Sequence, residues 1–307
     1  MKVLIVGLGS IAKKHIEALR TLQPKCAIYA LRSSLKAKIE DGIVNIYDLD
    51  ELEIEFDFAI ISNPTYLHYE TIKCIAHKKI PLFIEKPALN SIENANELIE
   101  LVEQNKVPNY VACNLRFHPC IIFLKEFILE RKRKINEVNV YCGSYLPNWR
   151  PGIDFRKIYS ANANMGGGVH LDLFHEIDYT IWLFGRPNKS KSTLKSGSSL
   201  NIDAIDYANY LFEYDTFVAN IILNYYRKKD KREIEILFDD ETIKIDLIQN
   251  LIIDHNGKTL FNAQKFKIQE SYLEQLKYFI DFLKNDHKSI NSLRDSVDVL
   301  KIVLQNE

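Results

Sequence analysis

Over the first 115 residues, short apolar runs alternate with segments whose apolar residues recur every three or four positions. Residues 3–6 read as a first strand. In residues 10–22, Ile11, Ile16 and Leu19 fall at helical spacing, and Pro24 follows as a stop. Apolar runs at 26–31, 56–62, 81–85 and 109–115 read as further strands. Residues 63–79 read as a loop and a helix, and 91–105 as an amphipathic helix with Ser91 as its N-cap. Strands alternating with helices imply an α/β Rossmann-type, doubly wound parallel sheet.

The pattern changes in the second half. Residues 137–146, 206–215, 216–226 and 232–255 are consecutive strand-like runs, joined by turn signals at Tyr214-Asp215, Asp239-Asp240 and Asn256-Gly257. They predict a large open, mostly antiparallel sheet in an α+β C-terminal domain. Between the first two runs, 165–185 is a glycine turn leading into an apolar helix. Two helical patterns, 271–286 and 292–305, follow the last strand. The expected division is 1–117 and 118–307, with the terminal helices able to pack back on the first domain.

Composition narrows this little. A chain of 307 residues suits two domains. Forty basic against 41 acidic residues give no net field for nucleic acid or an anionic membrane. No apolar stretch approaches a membrane span, and the first is too short for a signal segment. Five widely spaced cysteines, with no CxxC, read as reduced thiols and a cytoplasmic protein.

The chemistry begins at the first turn. Gly7, Gly9 and Ala12 form G-x-G-x-x-A between a strand and a helix. Such a turn lets the backbone, Ser10 and Ile11 included, approach a pyrophosphate at a helix N-terminus. NAD-binding turns usually place an acid about 20 residues later, yet none lies between Glu17 and Glu40. Arg32, Ser33 and Ser34 stand there instead, with Lys36 and Lys38 behind them. A 2′-phosphate favours that set, so NADP is expected and NAD less so. Other groups at strand ends face the same crevice: Ser62, Asn63, Pro64 and His68 after one strand, Glu85 and Lys86 after the next. Pro87 holds Lys86 extended and opens the peptide between them to the cis form.

Downstream, Asp172 and His175 are three residues apart and would share a face of one helix, a tunable proton-transfer pair. His170, Asp172 and His175 are not read as a metal triad, because 170 and 175 do not share a face. No metal is expected. The polar–aromatic loop 144–163 offers Trp149, Arg150, Asp154, Arg156 and Tyr159 to a phosphorylated or nucleotide-linked sugar. The basic run 225–233 reads as a hairpin turn with solvated charges.

Taken together, "EKP" after a strand, the downstream "GGG…D…H…D…WLFG" and the order of the two folds make the whole chain resemble the Gfo/Idh/MocA oxidoreductases. Near the glycine turn and the loop before it, the likeness is to a sub-branch associated with surface glycans. The resemblance implies a catalytic Lys86 beside the nicotinamide. It also implies a substrate-side Asp172 and a His175 acting as acid/base. Asn114 and Arg116 would face cofactor and substrate at the domain junction, and the open sheet would pair into a homo-oligomer, a dimer or tetramer. The spacing from Asp172 to His175 is one residue shorter than usual in the family, which leaves open whether Glu176 shares the histidine's role. The expected activity is hydride transfer between NADP and a sugar or nucleotide-sugar CH–OH. The alternative is a non-catalytic, NADP-binding sensor of the same fold.

Overall fold

A computed structural model describes residues 1–34, 39–49, 54–131, 133–285 and 288–305. Lys36 and Lys38 lie outside the described residues. The chain forms two compact units, one of Met1–Asn114 with Ile268–Leu300, the other of Leu115–Lys267 with Lys301–Glu307.

Among the described residues, the first unit has a six-stranded sheet: β1 (Lys2–Val6), β2 (Ala27–Leu31), β3 (Ile43–Ile46), β4 (Phe58–Ile61), β5 (Leu82–Glu85) and β6 (Asn109–Ala112). The order is β3-β2-β1-β4-β5-β6 and every pairing is parallel. This is the doubly wound order, with its switch point between β1 and β4. Val3, Leu4, Ile5 and all of β4 are buried, as sheets covered on both faces require. The helices are α1 (Ser10–Leu22), α2 (His68–His77) and α3 (Ala95–Gln104). A later helix, α7 (Ile268–Lys284), places Phe279 edge-on against Phe58 and Phe83, at 5.2 and 5.3 Å between ring centroids. Aromatic packing of this kind explains why α7 belongs to the first unit despite its distance in sequence.

The N-cap reading at Ser91 needs correction. Helix α3 starts four residues later, after Asn94 in the left-handed region (φ 56°). The Ser91 hydroxyl instead accepts a hydrogen bond from the Glu93 N–H.

The second unit has an eight-stranded sheet among its described residues: β7 (Ile135–Tyr145), β8 (Lys189–Lys195), β9 (Tyr207–Glu213), β10 (Val218–Asn224), β11 (Tyr226–Phe238), β12 (Thr242–Asp246), β13 (Leu251–Asp254) and β14 (Thr259–Asn262). Its order is β14-β13-β12-β11-β7-β10-β9-β8. All pairings are antiparallel except β7 with β10, which is parallel. Helices α4 (Pro119–Arg131), α5 (Val169–Asp172) and α6 (Phe174–Phe184) complete it, and α8 (Leu293–Val303) runs toward the end of the chain. The basic run 225–233 is not a hairpin turn. It is the first half of β11, with Lys228, Lys229 and Asp230 exposed and a register shift against β7 before Lys231. Among the described residues no helix is long and apolar enough to cross a membrane.

Candidate active site

The glycine turn joins β1 to α1 at the switch point. Gly7 has φ 87°, and a Cβ there would lie 2.4 Å from the Asn63 backbone. Only glycine meets both conditions. Gly9 is different: a Cβ there would meet nothing within 4 Å. Gly9 caps α1 with no side-chain hydrogen bond, so the first amides of the helix are not capped by its own side chain. Ser62 is buried, and its hydroxyl donates to the Gly7 carbonyl at 2.8 Å. It therefore shapes the turn.

His68 is also buried. Its ring nitrogens face the Asn63 carbonyl at 3.0 Å and the Ala88 carbonyl at 3.1 Å, tying the loop after β4 to the segment after Pro87. Burial pushes its pKa down. Arg32 directly follows β2, and its backbone N–H donates to the Ile46 carbonyl. Its Nη1 is buried and has no hydrogen-bond partner among the described residues. Ser33 and Ser34 beside it are exposed. The open space at Gly9 fits the approach of a dinucleotide, and Arg32 Nη1 is a buried donor without a partner among the described residues.

At the end of β5, the Lys86–Pro87 peptide is cis. The Lys86 N–H donates to Glu85 Oε2 at 3.1 Å, and Glu85 Oε1 is hydrogen-bonded to His15 Nε2. Glu85 is thus a buried brace within the protein. The Asn114 amide donates to the Ser271 hydroxyl at 2.8 Å.

In the second unit, Asp172 and His175 do not sit on one helix. The helix breaks at Leu173 (φ −96°, ψ 36°), so Asp172 ends α5 and His175 lies in the first turn of α6. The shared face read from their spacing is therefore not that of a continuous helix. Asp172 Oδ2 accepts from the Tyr225 hydroxyl at 2.5 Å. Tyr225 is fully buried, and burial, with the Asp172 charge adding to it, holds its pKa well above the usual phenol value. The glycines before α5 answer to packing. A Cβ at Gly167 would lie 2.1 Å from the Tyr159 carbonyl oxygen, and one at Gly168 2.7 Å from the His170 ring. His170 itself is buried, which pushes its pKa down to about 4.

Glu176 is wholly buried and paired with Arg232 at 2.8 Å. Arg116 is likewise paired: Nε and Nη2 bind Asp178 at 2.8 and 2.6 Å in a buried fork.

In the loop after β7, Trp149 donates from Nε1 to Ser144 Oγ and stands edge-on to Tyr225, with centroids 5.3 Å apart. Tyr159 donates to the Gly166 carbonyl at 2.7 Å. Asp154 accepts from the Arg156 N–H at 3.1 Å, and Arg150 and Arg156 are exposed. Three residues that the motifs did not single out do much of the positioning: His15, Tyr225 and Arg232. Each partners a motif residue at least 50 positions away in sequence, a relation that short-range spacing does not carry. Among the described residues, no group of three His, Cys, Asp or Glu side chains is placed to hold a metal ion.

Comparison with known proteins agrees with this architecture. scyllo-Inositol 2-dehydrogenase (NADP(+)) IolW of Bacillus subtilis is 27% identical over 57% of this chain and 48% of its own length. Myo-inositol 2-dehydrogenase of Thermotoga maritima is 23% identical over 93% of this chain and 89% of its own. For the partial matches, the chain spans about half the length of the curated relatives. The WlbA dehydrogenase of Bordetella pertussis, solved with NADH and UDP-GlcNAcA, superposes with a TM-score of 0.80 at 16% identity, covering 97% of this chain and 93% of that one. Residues 1–113 match the family model described as "Oxidoreductase family, NAD-binding Rossmann fold".

Proposed function

We propose that the protein is an NADP-preferring oxidoreductase acting on a CH–OH group of a sugar or nucleotide sugar. The observation that carries the cofactor reading is the combination of the open approach at Gly9 with the orphaned Arg32 Nη1 at the end of β2. Gly7, Gly9, Ser10 and Ile11 would hold the pyrophosphate. Arg32, Ser33 and Ser34 would hold the 2′-phosphate, and Asn63, Pro64 and Lys86 would line the nicotinamide end. Bound nicotinamide supplies the hydride acceptor, or the donor in the reverse direction.

His175 takes the hydroxyl proton of the substrate during oxidation and returns it during reduction. The Lys86 ammonium stabilises negative charge that grows on a substrate oxygen. Asp172, held by Tyr225, orients the histidine. Trp149, with Arg150 and Arg156, offers a stacking face and anion contacts to the sugar or its nucleotide. The sugar class rests on the inositol dehydrogenases and the UDP-sugar complex among the relatives. The broad eight-stranded sheet suits pairing between copies of the chain, as a dimer or tetramer.

The test is turnover of a panel of free and UDP-linked sugars with NADP+, comparing wild type with Lys86→Ala. The variant is expected to bind nucleotide as before and to lose at least about a hundredfold in kcat, the usual scale for a group acting in the transition state. Full turnover without Lys86 would contradict the role.

A further inference from the structure

Glu85 is only 8% exposed, yet it is a carboxylate at the end of a buried strand. A buried carboxylate is costly unless its oxygens are satisfied. Here one oxygen meets His15 Nε2 and the other accepts the Lys86 N–H. His15 is wholly buried on α1, where the other buried residues are Ala12, Ile16, Ala18 and Leu19. Its ring is wedged edge-on between Phe83 (5.0 Å) and Tyr272 (5.6 Å), and Nδ1 has no hydrogen-bond partner among the described residues. The only polar contact of this imidazole among the described residues is therefore Glu85. With Nδ1 unpartnered, the tautomer that satisfies the pair carries its proton on Nε2 and donates it to Glu85.

We infer that His15 is a positioning residue for Lys86, linking the helix that begins at the glycine turn to the lysine through Glu85. Three groups form one chain, from the α1 imidazole to the β5 carboxylate to the backbone N–H of Lys86. Because α1 also presents the amides of the glycine turn, the brace fixes Lys86 relative to the nucleotide-binding helix. The inference rests on the proposed role of Lys86 for its functional meaning, but not for its geometry.

The experiment is amide hydrogen exchange resolved at Lys86 in wild type, His15→Leu and His15→Gln. Leu fills the space without a donor; Gln keeps an N–H that can reach the carboxylate. The Lys86 amide is expected to exchange at least about tenfold faster in His15→Leu, with β5 and α1 amides unchanged, and to return to the wild-type rate in His15→Gln. Equal exchange in wild type and His15→Leu would overturn the inference. So would a uniform acceleration across the whole unit, which marks a merely stabilising core pair. If His15→Leu does not fold, wild type alone decides: a Lys86 amide exchanging as fast as an unprotected loop amide overturns the brace, and a protected one supports it. Exchange does not depend on turnover. Full turnover by Lys86→Ala would remove the catalytic reading and leave the brace standing, and loss of the brace would leave the catalytic reading to its own test.

Discussion

The Tyr225 hydroxyl has one partner that matters for chemistry, the Asp172 carboxylate at 2.5 Å. A hydrogen bond to a charged group contributes roughly 1.5–3 kcal/mol. Tyr225→Phe removes only the oxygen and keeps the edge-on contact with Trp149. We expect kcat to fall by about tenfold to a hundredfold with nucleotide affinity unchanged. Steady-state kinetics beside a nucleotide titration checks this; an unchanged kcat would show that Asp172 needs no such support. Residue chemistry was partly legible in the sequence. Lys86, Asp172 and Arg32 could be singled out by residue type beside a strand end or a glycine turn. Their partners could not. Tyr225 lies 53 positions from Asp172, and His15 lies 70 from Glu85. Arg116 shows the same limit, since its pairing with Asp178, 62 positions away, is not carried by short-range spacing.

Elements were legible where their periodicity was strong. Helix α1 spans the residues that its apolar spacing marked, and strands β1, β4 and β5 are the buried runs. Strand β8 was missed because its sequence, KSKSTLK, alternates lysine and serine with little apolar signal. Helix α4 was missed for the opposite reason: it is apolar on nearly every side, so no face stands out. The break at Leu173 also carries no sequence mark, since leucine is a good helix former.

The glycine turn gives a paired prediction at this scale. Gly7→Ala collides with the Asn63 backbone in a left-handed conformation, so it should lower both Tm and nucleotide affinity. Gly9→Ala meets no protein atom, so it should leave Tm within a few degrees of wild type while weakening nucleotide binding by at least about tenfold. Thermal melts with and without NADPH separate the two. Unaltered binding by Gly9→Ala would remove the pyrophosphate from this turn.

For the whole molecule, two sheet architectures follow from two patterns in one chain. The parallel sheet comes from apolar runs separated by helices, and the mostly antiparallel sheet from consecutive strands joined by tight turns. What the pattern left open was membership, since α7 sits far along the sequence yet belongs to the first unit through Phe279. The central claim is that the Rossmann unit serves redox chemistry with NADP. Titrating the purified protein, freed of copurified nucleotide, with NADPH and with NADH while following nicotinamide fluorescence tests it most directly. The account predicts NADPH binding at least about tenfold tighter, a difference of about 1.4 kcal/mol. NADH binding as tightly or more tightly would contradict the Arg32 assignment, and binding of neither would contradict the oxidoreductase reading itself.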